Sequence, residues 1–384
     1  MNHTTTIANP LGTEKIGKLA VQYAVPSVIS LVINSLYNMV DQVFIGQGVG
    51  YLGNAATNVI MPMSLIVMAI AIMLGNGASA FMSLHLGKKQ PKEAADGVGN
   101  MITLSMACSI LLLILFEIFL EPLCTLFGAT PDVMPYALEY GRIIVLGFPV
   151  FIVGINFSNI IRADGRPKSS MAGMLIGCIA NIILDPVFIF VFHWGVKGAA
   201  LATVIGQMLN AVFYIGCLFR FQTIKLNLQN FILRRQVTKN IISLGMSSFF
   251  SQIAATLVIA IQNNLLVKYG ADSKYGSDIA LAALGITMKA SQLITSGMVI
   301  SIFFQSLGKP VPALVISLSR QIIFLIPAMF LFGHFWGVDG LLWAGAAADM
   351  LSGIVALLLA KLQWKKVFTE EPSPKTTGQE AMGY

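Results

Sequence analysis

Long apolar runs broken at short polar intervals set the pattern of this chain. A membrane-spanning helix needs about 20 mostly apolar residues. Ten stretches meet that requirement, near residues 19–45, 52–86, 98–120, 137–161, 170–192, 198–220, 240–267, 279–307, 313–333 and 339–361. Their lengths suit helices rather than strands, and several exceed the hydrocarbon thickness, so tilt or ends projecting into water are expected. The pattern predicts an all-α integral membrane protein with about ten transmembrane helices. The first 14 residues are polar and lack the charged start and short apolar core of a cleavable signal, so the first stretch is expected to remain as an anchor.

Composition agrees: 56% of the 384 residues are hydrophobic and 11% charged, where a soluble domain carries about 25% charged residues. The net charge of +7 is informative through its placement. With the N-terminus inside, alternate connections from Lys15 to Lys375 hold 18 of the 24 Lys and Arg, while the opposite connections hold only Lys197, Lys268 and Lys274. That asymmetry predicts a multi-pass protein of the cell inner (plasma) membrane with both termini cytoplasmic. A nucleic-acid partner would want these charges on one surface with interleaved aromatics, so none is expected. Cys108, Cys124, Cys178 and Cys217 stand singly in or beside apolar stretches, without metal spacing, and read as small core residues. His3, His85, His193 and His334 show no zinc spacing either. Gly46, Gly48 and Gly50 mimic part of a nucleotide fingerprint, but no strand precedes them and no βαβ unit follows, so they read as a turn between helices. No phosphate loop and no nucleophile–base pair is found; the chain is read as no enzyme, with no cofactor, driven by an ion gradient.

The chain also repeats itself. SNIIRADGRPK with HWGVKGAALA, from Ser158 on, matches SIFFQSLGKPV with FWGVDGLLWA, from Ser301 on; AATNVIMPMSLIV from Ala55 matches AALGITMKASQLI from Ala282. The offset is 227 at Ala55 and Ala282 but 143 at Gly165 and Gly308, a difference of 84 residues. The counterpart of about 69–155 is therefore missing from the second half, with the join near Ser296 and Gly297. Six spans in the first half make the two halves parallel repeats about an axis along the membrane normal. The expected division is an N-lobe at 1–222, a cytoplasmic interlobe linker at 223–239, a shortened four-helix C-lobe at 240–366, and a disordered tail at 367–384.

YNMVDQVFIGQGVG in the first stretch, NIILDPVFIF in the fifth, the DGRPK and GKP loops and the repeat itself, in that order, carry a resemblance to the multidrug and toxic compound extrusion (MATE) family, most of all its DinF branch. The resemblance covers nearly the whole chain apart from the missing part of the second half. It implies a two-lobe helical bundle, here with about ten spans instead of twelve, and export of bulky organic cations or amphiphiles in exchange for Na⁺ or H⁺.

Ionisable and amide groups at membrane depth point to function. Asn34, Asn38 and Asp41 share a helical face with Ser27; Asn181 and Asp185 lie at i, i+4 before Pro186, which cannot donate its backbone hydrogen bond; Thr203, Gln207 and Asn210 repeat the pattern. Two carboxylates, an amide and a hydroxyl suit a hard cation or a proton. By resemblance, the family's N-lobe cation site, a possible Na⁺ site, falls on Asp41, Asn181, Asp185 and Thr203, all four matching in type. Asn34, Asn38, Gln207, Asn210, Gln252 and Thr256 are candidates for lining a cavity, with Gln262, Asn263 and Asn264 on the same stretch as the last two. Lys289, Arg320 and Asp349 are the C-lobe charges, read as a structural pairing rather than a second coupling site, since the counterpart of Asp41 falls near the apolar Ile261.

The resulting expectation is a monomeric secondary multidrug antiporter in the lipid bilayer acting on small amphiphilic substrates. A lipid-linked saccharide flippase of related architecture and a non-transporting remnant are the alternatives, the last because a shortened lobe opens the central cleft to lipid. The charge asymmetry carries one test: a cysteine replacing Gln379 stays unlabelled by a membrane-impermeant maleimide added outside intact cells, and labelling from outside overturns the topology.

Overall fold

A computed structural model describes residues 16–127, 129, 131–221, 223–271 and 318–369. Among them the protein is helical, with no strand. In chain order the helices are α1 (Ile16–Gly48), α2 (Tyr51–Gly87), α3 (Pro91–Ile118), α4 (Leu120–Leu126), α5 (Met134–Ala163), α6 (Pro167–Pro186), α7 (Gly195–Leu218), α8 (Arg235–Ala271) and α9 (Ile326–Thr369). A π-helical turn, Val187–Val191, extends α6, another, Ser319–Leu325, precedes α9, and a 3₁₀ turn, Leu228–Phe231, lies before α8. Six helical runs among the described residues are long and apolar enough to cross a membrane: α2, α3, α5, α6 with its π-helical turn, α7 and the Arg235–Val258 part of α8. The chain is a multi-pass membrane protein. The eighth predicted stretch, the join near Ser296 and Gly297, Lys289, the GKP loop and the tail after Thr369 lie outside the described residues.

Helix ends follow local chemistry. Pro91 and Pro167 open α3 and α6, where a missing N–H costs nothing. Helix α3 begins seven residues before the predicted apolar stretch and α8 five residues before, because polar first turns continue helically outside the apolar layer. The short helix α4 is not predicted by the hydropathy pattern: Pro122 cannot donate to the preceding turn, so α3 breaks at Phe119 (φ −101°, ψ 16°) and a short separate helix follows. The Gly46–Gly50 segment forms the expected turn, with Gly50 at φ 86°. Gly165 (φ 87°) turns α5 into α6. Gly337 (φ 60°, ψ −133°) interrupts α9 where the turn between the ninth and tenth stretches is predicted. Its partner in the sequence repeat, Gly195, also has positive φ, at 55°.

Helix α2 stands at the centre, packed against α5 on one side and α8 on another. Lipid gives helices little hydrophobic reason to associate, so close backbone approach at small residues carries the packing. A Cβ at Gly77 would lie 2.1 Å from the Ile241 carbonyl oxygen, and one at Gly245 1.9 Å from that of Met73, so α2 and α8 touch backbone to backbone. The same holds between α6 and α7, where a Cβ at Gly206 would lie 2.7 Å from the Gly177 carbonyl oxygen and one at Gly177 2.9 Å from that of Gly206. Two buried clusters fill the bundle along α2: one at Ala78–Met82 with Val98, Met101, Ile160, Tyr214 and Ile241, and one at Ile60, Met63 and Val67 with Phe116, Phe148 and Ile152. Cys124 and Cys178 are buried, Cys108 and Cys217 half-buried, and all four are free thiols.

Connections assigned by charge to one side meet in the structure. At one end, Asp96 of α3 pairs with Arg234 before α8, and Asp164 after α5 binds Thr223. At the other end, Lys197 of α7 pairs with Glu139 of α5. Gly206→Val forces a branched side chain into the α6–α7 contact, where overpacking costs about 1–3 kcal/mol. The variant melts several degrees lower in detergent by fluorescence-detected size exclusion; an unchanged melting temperature shows that the contact is looser than described.

Candidate cation site

The contact between α6 and α7 decides where the first polar group stands. With glycine at 177 and 206, α7 approaches closely enough that the Asn181 Cβ lies 3.4 Å from where a Cβ of Gly206 would be. One turn away, Asn181 Nδ2 stands 3.3 Å from both Asp185 Oδ1 and Thr203 Oγ1. Turning the amide by 180° satisfies both neighbours: Nδ2 then donates to Asp185 Oδ2 at 3.2 Å, and Oδ1 accepts from the Thr203 N–H and hydroxyl at 3.3 Å.

Asp185 is the last residue before Pro186, beyond which the backbone widens into the π-helical turn Val187–Val191. Pro186 has no N–H, so the turn before it has a backbone carbonyl freed of its helical partner, and π-turns of this kind favour functional sites. Helix α1 lies along α6 and brings Asp41 to Asp185, the two carboxyl groups within hydrogen-bonding reach. Burial is nearly complete: Asp185 is 0% exposed, Asn181 2% and Asp41 8%. No described residue forms an ion pair with either carboxylate.

This donor set fits a hard cation. Asp41 Oδ1 is buried without a hydrogen-bond partner, and a buried acceptor left unpaired costs about 1–3 kcal/mol. Two carboxylates this close at low dielectric cannot both stay ionised without a cation or a proton between them. The oxygens of Asp41, Asp185, Asn181 and Thr203 would hold Na⁺, and protonation of one carboxyl would let it donate to the other. The structure thus brings together all four residues expected for this site.

The other predicted residues divide. Asn38 is exposed and satisfies itself within α1, its Nδ2 donating to the Asn34 carbonyl at 2.7 Å and to Asn34 Oδ1 at 3.0 Å. Gln207 and Asn210 are half-buried on α7, and Asn210 Oδ1 is buried without a partner. On α8, Thr256 Oγ1 donates to the Gln252 carbonyl at 3.0 Å, both residues half-buried. Arg320 sits half-buried in the π-helical turn before α9. The side chains of Ser27, Gln262, Asn263, Asn264 and Asp349 lie outside the described residues. Two residues that sequence reasoning missed stand in the field of both carboxylates: Tyr37 of α1 and Tyr140 of α5. Tyr37, at i−4 from Asp41, was legible as part of its stripe; Tyr140 comes from a distant helix and left no signal.

Long apolar helices around a buried carboxylate pair, without an ion-pair partner among the described residues, describe a multi-pass membrane protein. Residues 26–187, which hold α1 through α6, match the MatE family model. The multidrug export protein MepA of Staphylococcus aureus (strain NCTC 8325 / PS 47) is 24% identical over 331 residues, covering 83% of this chain and 72% of that protein. MepA of Staphylococcus haemolyticus (strain JCSC1435) is 26% identical over 282 residues, 72% of this chain and 60% of that one. Among solved structures, an outward-facing multidrug resistance MATE family transporter of the MOP superfamily superposes with a TM-score of 0.83 at 21% identity, over 94% of this chain and 99% of that one. A MOP superfamily transporter from Pyrococcus furiosus gives 0.81 at 21% identity, over 94% and 98%. Over residues 26–187 this chain is therefore similar to the MATE family.

The site generates a measurement that needs no transport. Na⁺ binding only the folded state raises the melting temperature in proportion to site occupancy. Purified protein is stabilised by Na⁺ at neutral pH and less so in acid, where protons compete for the same oxygens. Asp41→Asn and Asp185→Asn keep the fold and lose this dependence; if both variants retain it, the cation binds elsewhere.

Proposed function

We propose that this chain is a secondary active multidrug efflux antiporter exchanging Na⁺ or H⁺ at Asp41 and Asp185 for organic cations or amphiphilic compounds. The observation that carries this reading is the buried carboxylate pair without a basic partner among the described residues. Such a pair is costly unless a mobile cation completes it. Export by the MepA relatives supports the direction and the breadth of substrate. Cation entry changes how α1 lies against α6 and α7, and substrate affinity changes with it; coupling requires only that the two ligands favour different states. On this reading the protein works as a monomer in the inner membrane, both termini cytoplasmic, with no cofactor and no nucleic-acid partner. Residues 1–222 and 240–366 form its two lobes, and Asn34, Asn38, Gln207, Asn210, Gln252 and Thr256 face the cleft between them.

One observation favours a weaker transporter. The second half lacks the counterpart of about 69–155, which in the first half supplies the end of α2, all of α3 and α4, and most of α5. Without these the cleft lacks one wall. Ethidium efflux from vesicles is therefore weak with this chain, and inserting the equivalent segment of a complete relative between Ser296 and Gly297 raises it at least several-fold. Full efflux by the unmodified chain overturns the importance of the gap; no efflux by either form overturns the antiporter reading.

A further inference from the structure

Residues 223–234 join the two halves, and one side of them is fixed to the first bundle. Thr223 donates from its N–H (3.1 Å) and its hydroxyl (2.6 Å) to Asp164 Oδ1, and Asn230 Nδ2 donates to Asp96 Oδ1 at 2.6 Å. Asn100 Nδ2 donates to the carbonyls of Asn230 and Ile232, both at 3.1 Å, and Thr103 Oγ1 to the Phe231 carbonyl at 2.7 Å. Ile224 lies in the buried cluster with Phe81, Val98 and Tyr214. The other side faces outward. Leu228, Ile232 and Leu233 are 90%, 64% and 48% exposed, and Lys225, Arg235 and Lys239 are exposed along the same stretch.

These exposed side chains stand at the edge of the apolar layer. Asn100 and Thr103, which hold the backbone of 230–232, open the apolar stretch of α3 that begins near residue 98. Met106, the first exposed large apolar side chain of α3, comes three residues after Thr103, about 4.5 Å along the helix. The segment itself is a 3₁₀ turn, Leu228–Phe231, with irregular backbone on both sides. Hydrocarbon does not accept such backbone facing lipid, so its depth is that of the headgroups and the first acyl carbons. The charge here has one sign: no Asp or Glu stands between Asp185 and Asp272. Arg234 is paired with Asp96, whereas Lys225, Arg235 and Lys239 form no ion pair with a described residue. Glu93, the exposed acid in the first turn of α3, is outnumbered by Lys88, Lys89 and Lys92.

We propose that residues 225–239 form a docking surface for anionic lipid headgroups, with Leu228, Ile232 and Leu233 among the first acyl carbons and Lys225, Arg235 and Lys239 on the phosphates. Apolar side chains and basic groups on one surface suit such a leaflet, the first through burial and the second through attraction to phosphate. The bonds to Asp96, Asn100 and Thr103 fix the segment before lipid arrives, so little order is lost on binding. On the orientation read from the loop charges, the leaflet is the cytoplasmic one. The inference stands apart from the transport reading, because it concerns the lipid around the protein and neither its cargo nor its coupling ion.

Purified full-length protein in detergent, titrated with phosphatidylglycerol, phosphatidylcholine or inorganic phosphate, tests the headgroup site through its melting temperature. Phosphatidylglycerol raises it by several degrees more than phosphatidylcholine does, and salt shrinks that advantage. The triple variant Lys225→Gln, Arg235→Gln, Lys239→Gln loses the advantage, whereas Lys225→Arg with Lys239→Arg keeps it. An equal rise with phosphatidylcholine, or an undiminished advantage in the triple variant, overturns the site. So does loss of the advantage in the arginine variant, which would trace it to packing rather than charge. An equal rise with inorganic phosphate overturns lipid as the occupant. The apolar part is read separately, by a spin label at Ile232→Cys with the four native cysteines replaced, in vesicles of the same lipid composition on both faces so that orientation does not matter. Oxygen relaxes this label more than a water-soluble nickel complex does, and the reverse order overturns insertion.

Discussion

How near two helix backbones can come decides which side chains meet in this protein. Hydrocarbon gives helices no hydrophobic gain from touching, so contact goes to the places where nothing projects. Gly177 and Gly206 let α6 and α7 touch, and Asn181 then reaches Thr203 within one turn. Gly77 and Gly245 let α2 and α8 touch, which joins the first bundle to the second half through Asn76 and Ser248. Gly99 lets the backbone at Asn230 lie close against α3. The polar groups follow from these approaches, because at this depth each must find its partner on a neighbouring helix.

The contacts differ in what holds them. Residues 223–234 are held by neutral bonds from Asn100 and Thr103 and by bonds to the buried carboxylates of Asp96 and Asp164, and a hydrogen bond to an ionised group is about twice as strong as a neutral one. The α2–α8 contact has carbonyl oxygens facing glycine Cα atoms, the Asn76–Ser248 bond, and Val237, Ile241 and Leu244 buried in one cluster with Ala78, Phe81 and Met82.

Much of this was legible in the sequence, for physical reasons. Hydropathy runs give the helices because the lipid layer forbids unpaired backbone, and carboxylates inside such runs stand out because they are expensive there. Asp41, Asn181, Asp185 and Thr203 were found that way together with the family resemblance. Helix α4 was not, because Phe119 and Pro122 break the helix without interrupting the chain's apolar character. Tyr140 was not, because which face of α5 turns toward Asp41 depends on packing against α2 and α7 rather than on spacing along α5. The anchoring of 223–234 was hidden for the same reason: Asp96 and Asn100 read as the polar start of a span, and only the fold shows that their partners lie more than a hundred residues later.

The two candidate ions do not carry equal energy through this site. On the proposed reading the coupling carboxylates are Asp41 and Asp185, since Ile261 stands at the position of the second half that matches Asp41. Two carboxylates can hold one Na⁺, or can take up one proton or two. One charge crossing a potential of 100 mV releases about 2.3 kcal/mol, and with 1.4 kcal/mol per tenfold ratio that sustains roughly a fifty-fold gradient of a neutral amphiphile. Exchange of one Na⁺ for one monovalent organic cation moves no net charge, so the potential contributes nothing and only the Na⁺ concentration ratio drives export. Two protons per cycle would restore one net charge in that exchange. On that reading the membrane potential contributes to export of a monovalent organic cation only when both carboxyl groups load protons, whereas one Na⁺ or one proton per cycle drives it by its concentration ratio alone.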